Sequence, residues 1–165
     1  MKRLIVVLGL MLPLTVLAQE MKIGYIDRQA LITAMPEYDS AMKQLEDLNL
    51  SYTKQAKTLQ DEYQKKLQEY QETADTLDAA IRKYKESELV RLGQSIEEFS
   101  KSAQENMQKK EQELTTPILE KMDKAIKQVG DANGFTYILG QQMIPYVSSK
   151  AQDVLPLVKK VLDIK

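Results

Sequence analysis

The chain of 165 residues contains no cysteine, no histidine and no tryptophan, and its aromatic residues are eight tyrosines and two phenylalanines. Without cysteine, no disulfide bond can stabilise the fold, so stability must come from packing or from association between chains. Without histidine, the chain lacks the commonest general base and the commonest metal ligand. So few large aromatic side chains cannot fill a large compact core. We therefore expect an elongated protein that is not an enzyme and that needs no metal or cofactor.

The first 18 residues have the layout of a secretory signal peptide. Lys2 and Arg3 precede an apolar run at residues 4–12, and small residues ending at Ala18 suit cleavage by a signal peptidase. The run is short and is followed by Pro13, which argues against a membrane-spanning helix. An uncleaved membrane anchor is the alternative. We expect cleavage and export.

The charge balance and the short motifs exclude several classes of function. Lys2 and Arg3 account for two of the 23 basic residues, so the exported chain keeps 21 against 24 acidic residues, a net charge of −3. That balance does not attract nucleic acid. Carboxylate pairs such as Glu97 and Glu98 fall on a predicted solvated helix face, and GDANG at residues 130–134 lacks the ligand spacing of an EF-hand. The sequence contains no P-loop, no nucleophile elbow and no zinc-binding spacing.

Between Pro36 and Pro117 the sequence is free of proline and rich in Glu, Lys, Gln, Leu and Ala, which favour helices. Apolar residues recur with the 3.5-residue spacing of a coiled-coil seam, and residues 73–76 interrupt it midway with turn-forming side chains. Two equal arms of about 55 Å therefore predict an antiparallel helical hairpin over residues 37–114. Pro117, preceded by two threonines suited to N-caps, is expected to end the returning arm and open a new helix.

Short apolar segments at both ends of the exported chain predict a small β-containing body made of residues 19–36 and 115–165. β-branched and aromatic residues favour strands. Strands are expected at residues 23–27, 135–140 and 143–149. Three short strands leave unpaired edges, so association through the sheet is expected.

Helices are expected in the same body on the basis of amphipathic spacing. One covers residues 118–129 and ends at Gly130, and another covers residues 154–164 with Asp153 as its cap. A short helical turn is expected between the first strand and Pro36. The predicted fold class is mainly α with a small β body, in which a long antiparallel coiled-coil hairpin projects from short strands that serve oligomerisation.

Several segments appear in a specific order: MKIGYID at residues 21–27, RQALITAMPEY at 28–38, PILEKMDKAIKQVGDANGFTYILG at 117–140, then YVSS and DVLPLVKKVLDIK. This order, which covers the whole chain after the signal peptide, resembles the Skp/OmpH family of periplasmic chaperones. The resemblance implies a homotrimer in the periplasm. Each subunit would give its strands to a central β-barrel body and extend its hairpin as a tentacle. The cavity between tentacles would hold unfolded outer-membrane β-barrel proteins without ATP and prevent their aggregation.

The charge of the hairpin departs from that family pattern. The best-known members carry strongly basic tentacles, whereas residues 37–114 hold 12 Lys and Arg against 17 Asp and Glu, or 12 − 17 = −5. Client capture is therefore expected to depend more on apolar and tyrosine contacts. Contact with membrane lipid or lipopolysaccharide stays open, because a basic cluster persists at Arg82, Lys83 and Lys85.

Methionine and tyrosine suit the weak, adaptable contacts that such a chaperone needs. The candidate client-binding residues are Tyr38, Met42, Tyr52, Tyr63, Tyr70, Tyr84 and Met107. The alternative for each is packing within the hairpin seam. The candidate residues of the trimer body are Ile23, Tyr25, Ile26, Phe135, Tyr137, Ile138, Ile144, Tyr146 and Val147. The alternative function is an exported coiled-coil scaffold or adaptor that binds one defined partner.

Overall fold

The computed structural model describes residues 21–164, which form a small α/β body and a long helical hairpin. The predicted signal peptide lies outside the described residues. In chain order the elements are β1 (Ile23–Ile26), α1 (Arg28–Thr33), α2 (Pro36–Thr73), α3 (Ala79–Asn133), β2 (Tyr137–Gly140), β3 (Gln152–Asp153) and α4 (Leu155–Val161). A short 3-10 helix, Gln141–Met143, follows β2.

Helices α2 and α3 run antiparallel and form the hairpin. Helix α2 begins at Pro36, a position where the missing N–H is tolerated. It is about 57 Å long at 1.5 Å per residue. Asp78 caps α3, because its carboxylate accepts hydrogen bonds from the Ala80 and Ile81 backbone N–H groups at 2.9 and 3.0 Å. The turn between the two helices covers residues 74–78.

The prediction that a helix ends before Pro117 is wrong. Helix α3 continues through Pro117 and comprises 55 residues. Thr115 does not cap a new helix, since its hydroxyl donates to the Glu111 carbonyl at 2.7 Å within the same helix. Pro117 faces solvent, whereas Leu114 and Ile118 on either side of it pack into the core. Burial of Leu114 and Ile118 in the core keeps α3 helical at Pro117, although the proline interrupts the pattern of backbone hydrogen bonds.

The sheet has the order β2-β1-β3, and both outer strands run parallel to β1. Its inner face packs against the C-terminal part of α3 and against α4. The fully buried side chains of this core include Ile26, Met122, Val129, Val154 and Val158. Sheet and helices therefore share one core at the base of the hairpin.

Gly24 lets the central strand lie directly on this core. A Cβ atom at Gly24 would lie 2.9 Å from Cγ1 of Val154 and 3.1 Å from the Phe135 ring. Gly24 is also paired on both sides, with Ile138 in β2 and with Gln152 in β3. Only a residue without a side chain fits a paired strand at that separation.

Two further predictions about the body are wrong. Residues 143–149 do not form a strand, and the third strand is Gln152–Asp153 instead. Pro145 lies in the predicted segment and cannot donate to a strand ladder. Helix α3 ends at Gly134 rather than at Gly130, because Gly134 adopts the left-handed conformation of a C-cap, with φ of 68°.

The other elements agree with the sequence-based prediction. The first and second strands, the short helix after β1 and the C-terminal helix all form where they were expected. The Asp153 carboxylate accepts a hydrogen bond from the Leu155 N–H at 2.9 Å, as a cap for α4 would. The predicted fold class, a long helical hairpin on a small β body, is confirmed.

Candidate client-binding hairpin and assembly face

A continuous seam of side chains joins α2 to α3. The rings of Tyr52 and Phe99 meet edge to face, with their centroids 6.0 Å apart. Closer to the turn, Tyr63 lies over Gly93, where an added Cβ would sit 4.0 Å from the tyrosine ring. Gly93 therefore faces the seam inside an unbroken helix. The seam is thin, so its side chains remain half-buried.

Polar contacts hold the part of the hairpin nearest the turn. The Lys66 ammonium lies 2.7 Å from the Glu88 carboxylate, and the two side chains are 32% and 22% exposed. One turn further on, the Tyr70 hydroxyl donates to the Glu86 carboxylate at 2.6 Å. The hydrogen bond from Lys66 holds the pKa of Glu88 below its usual value, and the same bond raises the pKa of Lys66.

These contacts predict that the end of the hairpin loosens in acid. Because the pKa of Glu88 is lower in the folded state than in the unfolded state, the ionised carboxylate stabilises the fold at pH values above the unfolded pKa, about 4.3 for glutamate. This stabilisation is lost as the pH falls through the folded-state pKa. We expect the urea midpoint of the wild type to fall more steeply below about pH 5 than that of Glu88→Gln. Glu97→Gln, the same change at an exposed α3 position, is the control. Equal pH dependence in wild type and Glu88→Gln would contradict the prediction.

The structure places most of the predicted client-binding residues in the seam. Half-buried between the helices or at the base of the hairpin are Tyr38, Met42, Tyr52, Tyr63, Tyr70 and Met107. Only Tyr84 in that set is exposed, at 69% of its surface. The 3.5-residue spacing that singled out the others is the spacing of an interface between helices, so it selects residues that face the partner helix.

Other apolar side chains of the hairpin are exposed and were missed. Leu50, Ile81 and Val90 are 59%, 46% and 62% exposed. Val90 directly follows the half-buried Leu89, and Leu50 lies two residues after the half-buried Leu48, so each is off the seam. The sequence did contain a signal for such exposed residues, namely an apolar side chain at a position outside the seam. Together with Tyr84, these residues are the apolar side chains that the hairpin presents to other molecules.

The outer face of the sheet is apolar and has no helix against it among the described residues. Ile23 and Tyr25 of β1 pair in register with Tyr137 and Leu139 of β2. The side chains of these four residues lie on the side opposite the buried Gly24 and Ile26, because side chains alternate along a strand. We call the four residues the assembly face. Ile23, Tyr137 and Leu139 are exposed, which is unusual for large apolar side chains grouped in this way.

The irregular segment after β2 extends the assembly face into a cavity of about 410 Å³. The residues that line it beside β1 and β2 include Met21, Ile144, Tyr146 and Val147. Of the nine candidates for a trimer body, three point into the core of the subunit instead. Ile26 is buried there, and Phe135 and Ile138 pack against the same cluster. The other six lie on the assembly face or in the cavity beside it.

Between residues 21 and 164, no polar or charged side chain is buried, and no group of His, Cys, Asp or Glu residues could hold a metal ion. In the same range, no helix is long and apolar enough to cross a membrane. What the structure offers other molecules is two surfaces, the assembly face and the exposed hairpin.

Comparison with known proteins places this architecture in a family. The family model described as outer membrane protein (OmpH-like) matches residues 22–162, which include the sheet, the hairpin and α4. The chain belongs to the OmpH-like family. Its fold is similar to that of a chain from Caulobacter crescentus described as an outer membrane chaperone (OmpH-like), with a TM-score of 0.74 and 10% sequence identity. The match covers 87% of this chain and 84% of that one.

Two relatives of this OmpH-like chain carry the name chaperone protein Skp. The protein from Yersinia enterocolitica is 20% identical over 154 residues, which cover 93% of this chain and 94% of the relative. The protein from Pectobacterium atrosepticum is 21% identical over 140 residues, 85% of each chain. The resemblance inferred from the order of the terminal segments is thereby confirmed at the level of the family.

Proposed function

We propose that this OmpH-like chain is an ATP-independent holdase of the periplasm, which binds unfolded outer-membrane β-barrel proteins and prevents their aggregation. The observation that carries the proposal is that one small body combines an uncovered apolar sheet face with a long, exposed hairpin. A chaperone that encloses its clients needs both surfaces, one to assemble and one to contact the client. The names of the two relatives support the same function.

Three copies associate through the assembly face in this proposal, and their hairpins surround a cavity. Burial of Ile23, Tyr25, Tyr137 and Leu139 removes apolar surface from water at about 25 cal/mol per Å². A closed assembly also covers the strand edges that a three-stranded sheet leaves open. The first 18 residues direct export to the periplasm and are removed there.

Client contact depends on the exposed apolar side chains of the hairpin, since the hairpin is net acidic. Leu50, Ile81, Tyr84 and Val90 are spaced along it rather than grouped in one pocket. Each can bury only part of its surface against an unfolded chain, so each contact is worth less than the ~1.5–3 kcal/mol of a fully buried side chain. Several such contacts hold a client while leaving it free to dissociate without fuel.

The test is light scattering from an unfolded outer-membrane β-barrel protein diluted out of urea, with and without the mature chain (residues 19–165). We expect suppression of aggregation near one trimer per client, and suppression also of an unrelated unfolded protein. Joint replacement of Ile81 and Tyr84 by serine should weaken the apparent affinity about 10-fold, or about 1.4 kcal/mol. Replacement of the exposed, polar Gln104 and Gln108 by serine is the matched control.

An adaptor that binds one defined partner is the competing function, and Ile81 and Tyr84 near the turn of the hairpin are the observation that favours it. Both side chains are exposed within one helical turn of each other. An adaptor would leave both unfolded proteins to aggregate. That result, from a folded and associated sample, would reject the holdase.

A further inference from the structure

Residues 141–151, which we call the lining segment, connect β2 to β3 and provide more than half of the residues around the cavity beside the assembly face. Ile144, Tyr146 and Val147 are its apolar contribution to that cavity. After the 3-10 helix Gln141–Met143, the lining segment contains neither helix nor strand. No backbone ladder holds it against β1, so other contacts must set its position.

The backbone hydrogen bonds of the lining segment are local. The Ile144 N–H donates to the Gln141 carbonyl at 3.2 Å. Further along, the Ala151 N–H donates to the Ser148 carbonyl at 3.0 Å. Bonds of this kind fix the shape of the chain over three or four residues, but they do not fix the segment to the sheet.

One side-chain hydrogen bond joins the lining segment to another element among residues 21–164. The Gln142 amide donates to Oδ1 of Asp27 at 2.8 Å, across 115 positions of the sequence. The acceptor is a carboxylate, and hydrogen bonds to ionised groups are stronger than those between neutral ones. The pKa of Asp27 lies below its usual value, chiefly because the Ala30 N–H donates to it and further because Gln142 does.

Asp27 is itself held in place. It directly follows β1, and the same Oδ1 atom caps α1 by accepting from the Ala30 N–H at 2.9 Å. The neighbouring charged groups, Arg28 and Asp123, form an ion pair of their own at 2.7 Å. Asp27 and Gln142 line a separate groove with Leu119, outside the cavity beside the assembly face. Removing their hydrogen bond therefore removes no contact of the assembly face.

We propose that Asp27 is a positioning residue for assembly, which acts through Gln142 to fix the lining segment beside β1 and so completes the surface on which a second copy packs. The proposal rests on the proposed trimer and adds that its stability depends on a carboxylate outside the interface. Without the bond, association would have to order the lining segment, at a cost in conformational entropy. The dissociation constant should rise when either partner is removed.

Substitutions separate the two roles of Asp27. Asp27→Ser keeps an oxygen that caps α1 but is too short to reach Gln142, whereas Asp27→Asn keeps an acceptor for both bonds. The measurement is sedimentation of the mature chain (residues 19–165) across a concentration series. We expect the dissociation constant to rise about 10-fold in Asp27→Ser and in Gln142→Ala, and to stay within about 3-fold of the wild type in Asp27→Asn.

Gln142→Glu provides a pH profile that a general loss of stability would not produce. Near neutral pH two carboxylates face each other and repel, so association should weaken. Below about pH 5 one of them takes up a proton and can donate to the other, so association relative to the wild type should recover. Gln141→Glu is the matched control, because the Gln141 side chain is exposed and makes no hydrogen bond to a described residue. It should show no recovery.

Equal dissociation constants in Gln142→Ala and in an associating wild type would overturn the positioning role, and so would equal pH profiles in Gln142→Glu and Gln141→Glu. A wild type that stays monomeric at every concentration would instead reject the trimer. Hydrogen exchange below the dissociation constant tests the positioning without assembly. The amides of residues 146–151 should exchange at least ~3-fold faster in Gln142→Ala than in the wild type, and unchanged exchange would count against the proposal.

Discussion

Replacement of Leu139 by aspartate should convert the proposed trimer into a folded monomer. Leu139 lies in β2 on the assembly face and is 43% exposed in the isolated chain. A carboxylate there stays hydrated in the monomer, so folding should be unaffected. In the assembly it would be buried without a partner, which costs about 3–5 kcal/mol. The dissociation constant should rise at least ~100-fold, as measured by sedimentation across a concentration series.

Leu119→Asp is the matched control for this result. Leu119 is 39% exposed, nearly the same as Leu139, but it lies on α3 beside α1 and away from the assembly face. The same chemical change at that position should leave association intact. If both variants associate like the wild type, or if the wild type is itself monomeric, the assembly face is assigned wrongly. Circular dichroism of both variants shows whether the helices have formed.

The monomer also provides a test of how assembly and client binding depend on each other. If hairpins must enclose a client, Leu139→Asp should lose most suppression of aggregation although its hairpin is unchanged. If each hairpin binds clients independently, the monomer should retain suppression per chain. The first outcome supports a cavity, and the second supports binding along single hairpins.

Shortening of the hairpin should strongly weaken client binding while assembly persists. Deletion of residues 52–69 together with residues 87–104 removes about five helical turns from each arm, so the helical phase is kept. The deletions join the chain so that Tyr70 and Glu86, with their hydrogen bond at 2.6 Å, still close the end next to the turn. Asp78 still caps the returning helix.

The expected loss is large, because the deleted turns carry Val90 and about 27 Å of each arm. Suppression of aggregation should fall at least ~10-fold at equal chain concentration, whereas sedimentation should give the same number of subunits as the full-length chain. Deletion of residues 52–69 alone is the control for disrupted pairing, because it leaves the arms unequal and should also reduce helicity. If the variant that lacks both segments still suppresses aggregation fully, the client binds to the body instead.

Local patterns in the sequence determined most of the fold. The absence of proline between Pro36 and Pro117, with apolar residues every 3.5 positions, predicted an antiparallel helical hairpin. The β-branched residues around Tyr25 and Tyr137 predicted two of the three strands. Charge and composition also determined that the hairpin is acidic and that the chain has neither histidine nor cysteine. Each of these features depends on neighbours within one or two helical turns, which the sequence shows directly.

Tertiary structure alone decided whether Pro117 ends a helix and which residues face solvent. The intrinsic preference of proline favours a break, but Leu114 and Ile118 of the same helix bury apolar surface in the core, and that long-range packing outweighs one missing hydrogen bond. Tertiary structure also decided the position of the third strand. It is Gln152–Asp153, which pairs with β1, and not the predicted segment around Pro145. The heptad spacing located the seam, yet it could not identify Leu50 and Val90 as the exposed residues, since exposure depends on where the second helix lies.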